Sequence, residues 1–435
     1  MDQMFSLTTL FNSCITKRHT KFVCLFVIKK LKNGKPISIL TAGGRKMKKF
    51  ALLLSIVLLI FVPNTYVFGE ESKNEVKDLA QAAKSAILME QDTGKLLFDK
   101  NANEKLPPAS MTKIMTLLLI MEELDKGSFT LDEKVHVSEN AASMGGSQVF
   151  LEAGEEITIE DLVKSIAVAS GNDASVAMAE KVAGSEEAFV KKMNEKVKEL
   201  GLENTKFQNS SGLPAKEHYS TAHDMAVIAK ELLKYEEVTK YTSIYEDYLR
   251  KGEENEFWLV NTNKLVKFYS GVDGLKTGFT NEAKYCLTAT AKRENMRVIT
   301  VVMGADSPKE RNKAITEMLD YAFNHYETEK LYEKGDSITN LEFLKAKNQI
   351  SDVVTSQSVS VLFKKGESID AVDTSYHINK DIELPIEKGT QVGVLTVKNN
   401  DEILSETPLV VNEDIDKASY FKLLKRSMQK ISKFN

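Results

Sequence analysis

The sequence predicts an α+β protein: a mixed helix-and-sheet domain at 75–328 followed by a smaller β-rich domain at 331–413. Three observations carry that expectation. Apolar helical stretches alternate with β-branched runs as far as residue 328. Beyond Glu333 the pattern changes to short β-branched stretches separated by Gly366, Pro385, Gly389 and Asn399-Asn400. A length of 435 residues is enough to build two hydrophobic cores.

Residues 85–90 and 96–98 flank Asp92-Thr93-Gly94-Lys95, the makings of a β-hairpin. Pro107-Pro108 precede an apolar run at 114–121. Proline is excluded from helix interiors, so the helix starts at about Ala109 and Ser110 falls in its first turn. A second apolar helical region, 161–178, is interrupted near Ser170-Gly171-Asn172, and 186–200 is amphipathic and helical. Gly274 to Thr280 leads into 285–291 and 296–304, read as neighbouring strands of a central sheet, before 310–325 returns to helix. In the β-rich domain 359–363 and 391–397 are strands, and no chemistry-bearing cluster stands out.

Both ends of the chain are basic. Residues 1–69 hold eleven Lys/Arg against one acid, which takes the net charge from −4 for the whole chain to −14 for the remainder. Residues 416–435 hold six Lys/Arg and one Asp, so the body between stands at −19. So acidic a body argues against nucleic-acid binding. Met47-Lys48-Lys49, an apolar run of about 13 residues at 50–62, and Val67-Phe68-Gly69 describe a signal peptide over 47–69, since a spanning helix needs about 20. A signal peptide opens a chain, so Met47 is read as the start and 1–46 as a doubtful upstream extension. The tail is expected as a basic amphipathic helix, with Tyr420, Phe421, Leu424, Met428 and Ile431 on one side. Lys422, Lys425, Arg426, Lys430 and Lys433 crowd the other. Those charges exclude spanning a bilayer and predict a helix lying in the membrane interface. Export leaves Cys286 as the one cysteine of the mature protein, hence no intramolecular disulfide, and its apolar neighbours mark it as packing.

Three motifs then stand in order: Ser110-Met111-Thr112-Lys113, Ser170-Gly171-Asn172 and Lys276-Thr277-Gly278. Each is cheap alone. A second S-x-x-K occurs at Ser427 to Lys430, and S-x-N recurs at Ser72 to Asn74 and Ser138 to Asn140, but those sit in basic or polar stretches. Together the three supply a serine acyl-transfer site. Ser110 is the nucleophile, and Lys113, one helical turn away, is its base if burial and neighbouring cations depress its pKa. Ser170 can relay a proton between Lys113 and a leaving amine, and Asn172 can hold the acyl donor's amide. Lys276 disfavours a charged Lys113 and attracts an anionic substrate. Thr277 offers a hydroxyl to a terminal carboxylate, Gly278 lets a substrate backbone come close, and the N–H groups of Ser110 and Phe279 form an oxyanion hole. No histidine is placed for a Ser-His-Asp triad; His218 and His223 read as structural. No G-x-S-x-G, H-E-x-x-H or paired-cysteine motif occurs, so neither a metal nor a cofactor is implied.

These residues resemble the serine-type D-alanyl-D-alanine carboxypeptidases, the low-molecular-mass penicillin-binding proteins. The likeness runs through Pro108 to Lys113, Ser170-Gly171-Asn172-Asp173-Ala174, Asn209 to Asp224, Gly274 to Gly278, Val302-Met303-Gly304, and Arg311 within Pro308 to Asn312. The resemblance implies a penicilloyl-serine-transferase (β-lactamase-like) fold and removal of the terminal D-alanine from peptidoglycan stem pentapeptides. It implies an acyl-serine intermediate, acylation by β-lactams as inhibitors, and a place at the outer face of the cytoplasmic membrane. Residue by residue it implies Ser110 as the acylated serine, Lys113 as base, Ser170 and Asn172 as the second motif, and Lys276 and Thr277 as substrate anchors. Arg311 would bind the terminal carboxylate, although the sequence alone equally allows a surface helix cation. Phe279 departs from relatives that carry histidine there. A class A β-lactamase shares the motifs, but no E-x-x-x-N glutamate for deacylation is evident. A DD-endopeptidase and a membrane-tethered, penicillin-sensing module remain open alternatives.

Overall fold

The computed structural model describes residues 78–367, 372–379, 382–399 and 402–432. The expected upstream extension and signal peptide lie outside them.

The first core is organised by a five-stranded antiparallel sheet. Its strand order is Leu96–Lys100, Ser85–Glu90, Met296–Ala305, Lys284–Arg293, Val272–Thr280. Two of these strands come from the start of the domain and three from its end, so the helical segments between them are inserted into the sheet's connectivity. The hairpin turn is closed by Glu90, whose buried carboxylate accepts the Asp92 and Thr93 N–H groups at 3.1 and 2.8 Å. Burial raises the pKa of Glu90 above the ordinary carboxylate range, with the nearby Asp92 charge adding to the effect.

Helix Lys113–Asp125 runs through the centre of the helical layer, and every residue from Lys113 to Met121 is buried. A helix apolar all round belongs inside a domain. It packs with Asn172–Ala183, Glu186–Glu199 and Ala222–Leu232 on one side of the sheet. Helix Pro308–His325 covers the opposite side through Ile315, Met318, Leu319 and Ala322. Pro308 sits in its first turn, and Ser307 accepts the Glu310 N–H at 3.2 Å, the local chemistry that starts a helix there.

The helix expected at Ala109 begins as a 3₁₀ turn, Ala109–Thr112, and becomes α-helical at Lys113. Likewise the expected break at Ser170 is a change of winding: helix Ile159–Lys164 widens into a π-helical turn, Ser165–Ala169, and Ser170 closes it with φ 65°. Both irregularities fall at the motif serines. Of the decoy serines, Ser138 accepts the Ala141 N–H as an ordinary helix cap.

A second core lies in the β-rich part. Its five-stranded sheet has the order Ser337–Glu342, Ile350–Thr355, Glu402–Val411, Gln391–Asn399, Val372–Ile378, and Tyr326–Tyr332 pairs with Val359–Lys364 beside it. Val353, Val361, Val392, Leu395, Val397 and Leu409 fill that core. Helix Tyr420–Ser432 follows. Arg426, expected with the outward-facing cations, instead donates to the carbonyls of Leu344, Ala346 and Lys347 at 3.4, 2.7 and 2.9 Å.

Leu118 is fully buried in the central helix. Leu118→Ala should therefore cost about 2–5 kcal/mol of stability, seen as a lower thermal midpoint with unchanged far-UV dichroism at room temperature.

Candidate active site

The nucleophile turn is held between two glycines. Gly212 has φ +84°, and a Cβ there would fall 1.9 Å from the Ala109 carbonyl oxygen. A Cβ on Gly278 would meet the Pro108 carbonyl oxygen at 2.7 Å and the Ala109 Cβ at 3.2 Å. Gly278 thus permits a close approach of the nucleophile turn, and Ala109 lies in the left-handed region at φ 48°. The turn leaves Ser110 half-buried at the surface of the cleft.

Lys113 has no exposed surface. Its Nζ lies 2.6 Å from Asn172 Oδ1, 2.7 Å from the Ser211 carbonyl oxygen and 3.3 Å from Ser110 Oγ. Asn172 Oδ1 and the carbonyl can only accept, so they consume two N–H bonds. A neutral amine has two N–H bonds and one lone pair, and the third neighbour is a hydroxyl. These three neighbours can satisfy either an ammonium that donates three times or a free base whose lone pair takes the Ser110 hydroxyl proton, so the choice between the two forms falls to burial. Burial drives the Lys113 pKa well below its ordinary range, Lys276 pushes the same way, and Asp173 opposes them.

Asn172 is itself fixed by donating to the Gly145 carbonyl at 2.6 Å. The next residue, Asp173, accepts the Val149 and Leu151 N–H groups, both at their nearest carboxylate oxygen. The second motif thus sets the loop that forms one wall. Ser170 is buried, and among the described residues its Oγ has no hydrogen-bond partner. The expected link from Ser170 to Lys113 is not made as a hydrogen bond.

The third motif lies on edge strand Val272–Thr280. Lys276 is buried and donates to the Thr277 carbonyl at 3.2 Å. Burial, with Arg311 nearby, lowers its pKa to about 7. Thr277 Oγ1 donates to Thr262 Oγ1 at 2.7 Å. Arg311 is buried behind the strand in the first turn of helix Pro308–His325 and is no surface cation; it donates to Asn312 Oδ1 at 3.0 and 2.8 Å. Burial lowers its pKa to about 10. Phe279 is half exposed, its ring centroid 4.5 Å from that of Tyr285. Cys286 is buried on the next strand and burial pushes its thiol up to about 11, which suits packing and not nucleophilic attack.

The structure thus brings Ser110, Lys113 and Asn172 into direct contact and ranges Lys276, Thr277 and Arg311 along the adjoining strand and helix. Sequence reasoning missed the main-chain acceptors at Ser211 and Gly145, and it missed Thr262. Thr262 N donates to the Val168 carbonyl, and Asn263 Nδ2 to the Gly274 carbonyl at 3.0 Å, so Asn261-Thr262-Asn263 ties the second motif to the third. The available signal was the polar triplet itself, which sits immediately after strand Phe257–Val260.

Among the described residues no group of three or more His, Cys, Asp or Glu is placed to hold a metal. His218 supports the site from behind: its Nδ1 accepts the Gln208 N–H at 3.1 Å, which puts the ring proton on Nε2, 2.8 Å from Thr112 Oγ1. His223 pairs with Asp224 at 3.3 Å.

Comparison with known proteins follows the same outline. The family model for D-alanyl-D-alanine carboxypeptidase matches residues 71–307, and that for the penicillin-binding protein 5 C-terminal domain matches 326–417. The chain is 55% identical to D-alanyl-D-alanine carboxypeptidase DacF of Bacillus subtilis over 88% of this chain and 98% of that protein. It is 32% identical to DacA of Escherichia coli over 87% and 95%. Among solved structures, penicillin binding protein 5 from Haemophilus influenzae superposes with a TM-score of 0.60 at 30% identity, covering 77% of this chain and 98% of that one. Penicillin-binding protein D2 from Listeria monocytogenes, in an ampicillin-bound form, gives 0.51 at 31% identity over 56% and 98%.

Burial lowers the His218 pKa from 6.5 to about 4. Between those values the unfolded chain takes up a proton that the folded protein refuses, so stability falls as pH falls, by roughly 3 kcal/mol in all. Denaturation curves across that window should show this loss in the wild type and a flatter dependence in His218→Gln.

Proposed function

We infer the reaction from kinship and geometry together: this chain belongs to the D-alanyl-D-alanine carboxypeptidase family, and it removes the terminal D-alanine from peptidoglycan stem pentapeptides through an acyl-serine intermediate. The observation that carries the assignment of roles is the Lys113 amine, fully buried, disfavoured in its charged form by that burial, and 3.3 Å from Ser110 Oγ.

Ser110 Oγ attacks the carbonyl of the penultimate D-alanine while its proton passes to Lys113 Nζ. The oxyanion sits between the N–H groups of Ser110 and Phe279, donors worth about 3–4 kcal/mol each in sites of this kind. The C–N bond then breaks, and the leaving amine takes the proton from Lys113, with the Ser170 hydroxyl as relay. Its orphaned, buried Oγ supports that role, because a hydroxyl without a fixed partner can turn between donor and acceptor. Water attacks the acyl-serine, gives its proton to Lys113, and the proton returns to Ser110. Asn172 orients the acyl donor's amide. Lys276, Thr277 and Arg311 supply positive charge and a hydroxyl for the terminal carboxylate, and the two cations lie close enough for Arg311 to depress the pKa of Lys276. A β-lactam presents a similar amide and carboxylate, so Ser110 opens its ring and remains acylated.

The localisation we propose is the outer face of the cytoplasmic membrane, reached through the signal peptide at 47–69 and kept by the C-terminal helix. Among the described residues no helix is long and apolar enough to cross a membrane. The proposal is accordingly for attachment at the surface, supported by the exposure of Tyr420, Phe421, Leu424 and Met428.

Incubating the purified protein with a pentapeptide should release free D-alanine, and Ser110→Ala should reduce release to background while abolishing the penicilloyl adduct seen by mass spectrometry. Release by Ser110→Ala at the wild-type rate would sink the assignment. The pH dependence follows from Lys276, which loses its charge as pH rises through about 7 in the free enzyme. The apparent second-order constant for an anionic acyl donor should therefore fall above pH 7, whereas that for an ester donor lacking the carboxylate should not.

A further inference from the structure

The C-terminal helix Tyr420–Ser432 meets its own protein along the wrong side for a helix that hides its apolar face. Leu423 and Arg426, about 60° apart around the axis at 100° per residue, are the positions turned to the β-rich domain. Leu423 lines a groove of about 670 Å³ with Phe343, Leu344, Ile382 and Leu384. Arg426 donates to three carbonyls of one short segment there, at Leu344, Ala346 and Lys347. The chain entering the helix is pinned to the same segment: Lys347 N–H donates to the Asp416 carbonyl at 2.7 Å and Ala418 N–H to the Lys345 carbonyl at 2.8 Å. The apolar arc points elsewhere. Tyr420, Phe421 and Met428 are 74, 80 and 61% exposed, and Leu344, in the clasped segment itself, is 57% exposed.

We propose that the helix and the Leu344–Lys347 segment of the β-rich domain form one composite face that inserts into an anionic lipid surface, with Arg426 holding the two parts in register. The proposal deepens the membrane attachment argued above and rests on it. Charge selects the occupant. Lys345, Lys347, Lys417, Lys422 and Lys425 are exposed around the apolar patch, five cations against Glu342, Glu383 and Asp416, in a body that is otherwise strongly acidic. An apolar patch ringed by lysines suits anionic headgroups over acyl chains, each cation adding about 1 kcal/mol near such a surface. A tail acting alone would bind through its helix only and leave Leu344 in water. A composite face buries Leu344 as well, at a position where substitution touches no core.

Sedimentation of the full-length protein with phosphatidylglycerol/phosphatidylcholine vesicles tests this. Wild type should bind, Phe421→Asp should bind much more weakly, and Leu344→Asp should weaken binding about tenfold with thermal midpoint and turnover of soluble pentapeptide unchanged. If Phe421→Asp fails to bind while Leu344→Asp binds as wild type does, the attachment stands on the tail alone and the composite face is overturned. If the wild type does not bind these vesicles, the membrane attachment and the composite face fall together, while pentapeptide hydrolysis is untouched.

Discussion

Everything in the catalytic cleft depends on keeping one amine uncharged inside the protein. A lysine with no exposed surface cannot hold its proton cheaply, because an unpaired buried charge costs several kcal/mol. Here the surroundings do more than exclude water. They offer two fixed acceptors and one hydroxyl, the complement of a neutral amine's two N–H bonds and lone pair. An ammonium would turn its third N–H towards Ser110 Oγ and would have no lone pair left to take the Ser110 proton. The hydrogen bonds accommodate both forms, so it is burial, seconded by the Lys276 charge, that selects the protonation state that makes Ser110 a nucleophile.

Both acceptors are held by structure remote in sequence. Asn172 is anchored through the Gly145 carbonyl. The Ser211 carbonyl belongs to a turn that Asn209 ties by accepting the Gly212 N–H at 2.7 Å, and Thr116, one turn along from Lys113, donates to the Ser210 carbonyl at 2.6 Å. Gly212 and Gly278 fix the nucleophile turn from opposite sides, so the base and the nucleophile are located by different contacts that converge. A methyl group on either glycine would move Ser110 relative to Lys113 without altering any catalytic side chain.

The legible parts of this protein were those in which residue identity is the information. The proline pair before Ser110 located the start of the nucleophile helix, although not its 3₁₀ winding. The β-branched runs at 285–291 and 296–304 marked adjacent strands, and the basic apolar tail marked a helix. What was hidden has a common cause. The carbonyls of Ser211 and Gly145 act through main-chain atoms that every residue carries, so no letter announces them. Gly278 read as room for substrate, and the protein neighbour that it also admits, Pro108, is far away in sequence. Arg426 looked like one more outward cation, and only the fold shows three carbonyls gathered around it.

The anion-binding side of the cleft places a condition on the same amine. Lys276 and Arg311 are buried close together, and they donate to a carbonyl and an amide oxygen among the described residues. Burial first, and the repulsion of Arg311 second, depress the Lys276 pKa, and Lys276 in turn helps to hold Lys113 neutral. A substrate carboxylate settling between the cations would relieve that repulsion and weaken the push on Lys113 just when the free base is needed. The site tolerates this because burial is the larger cause of the low Lys113 pKa and Lys276 the smaller. Desolvation is unaffected by the sign of the ligand and deepens as the cleft fills. An amine kept neutral chiefly by a neighbouring cation would be reprotonated by its own substrate; one kept neutral chiefly by burial is not.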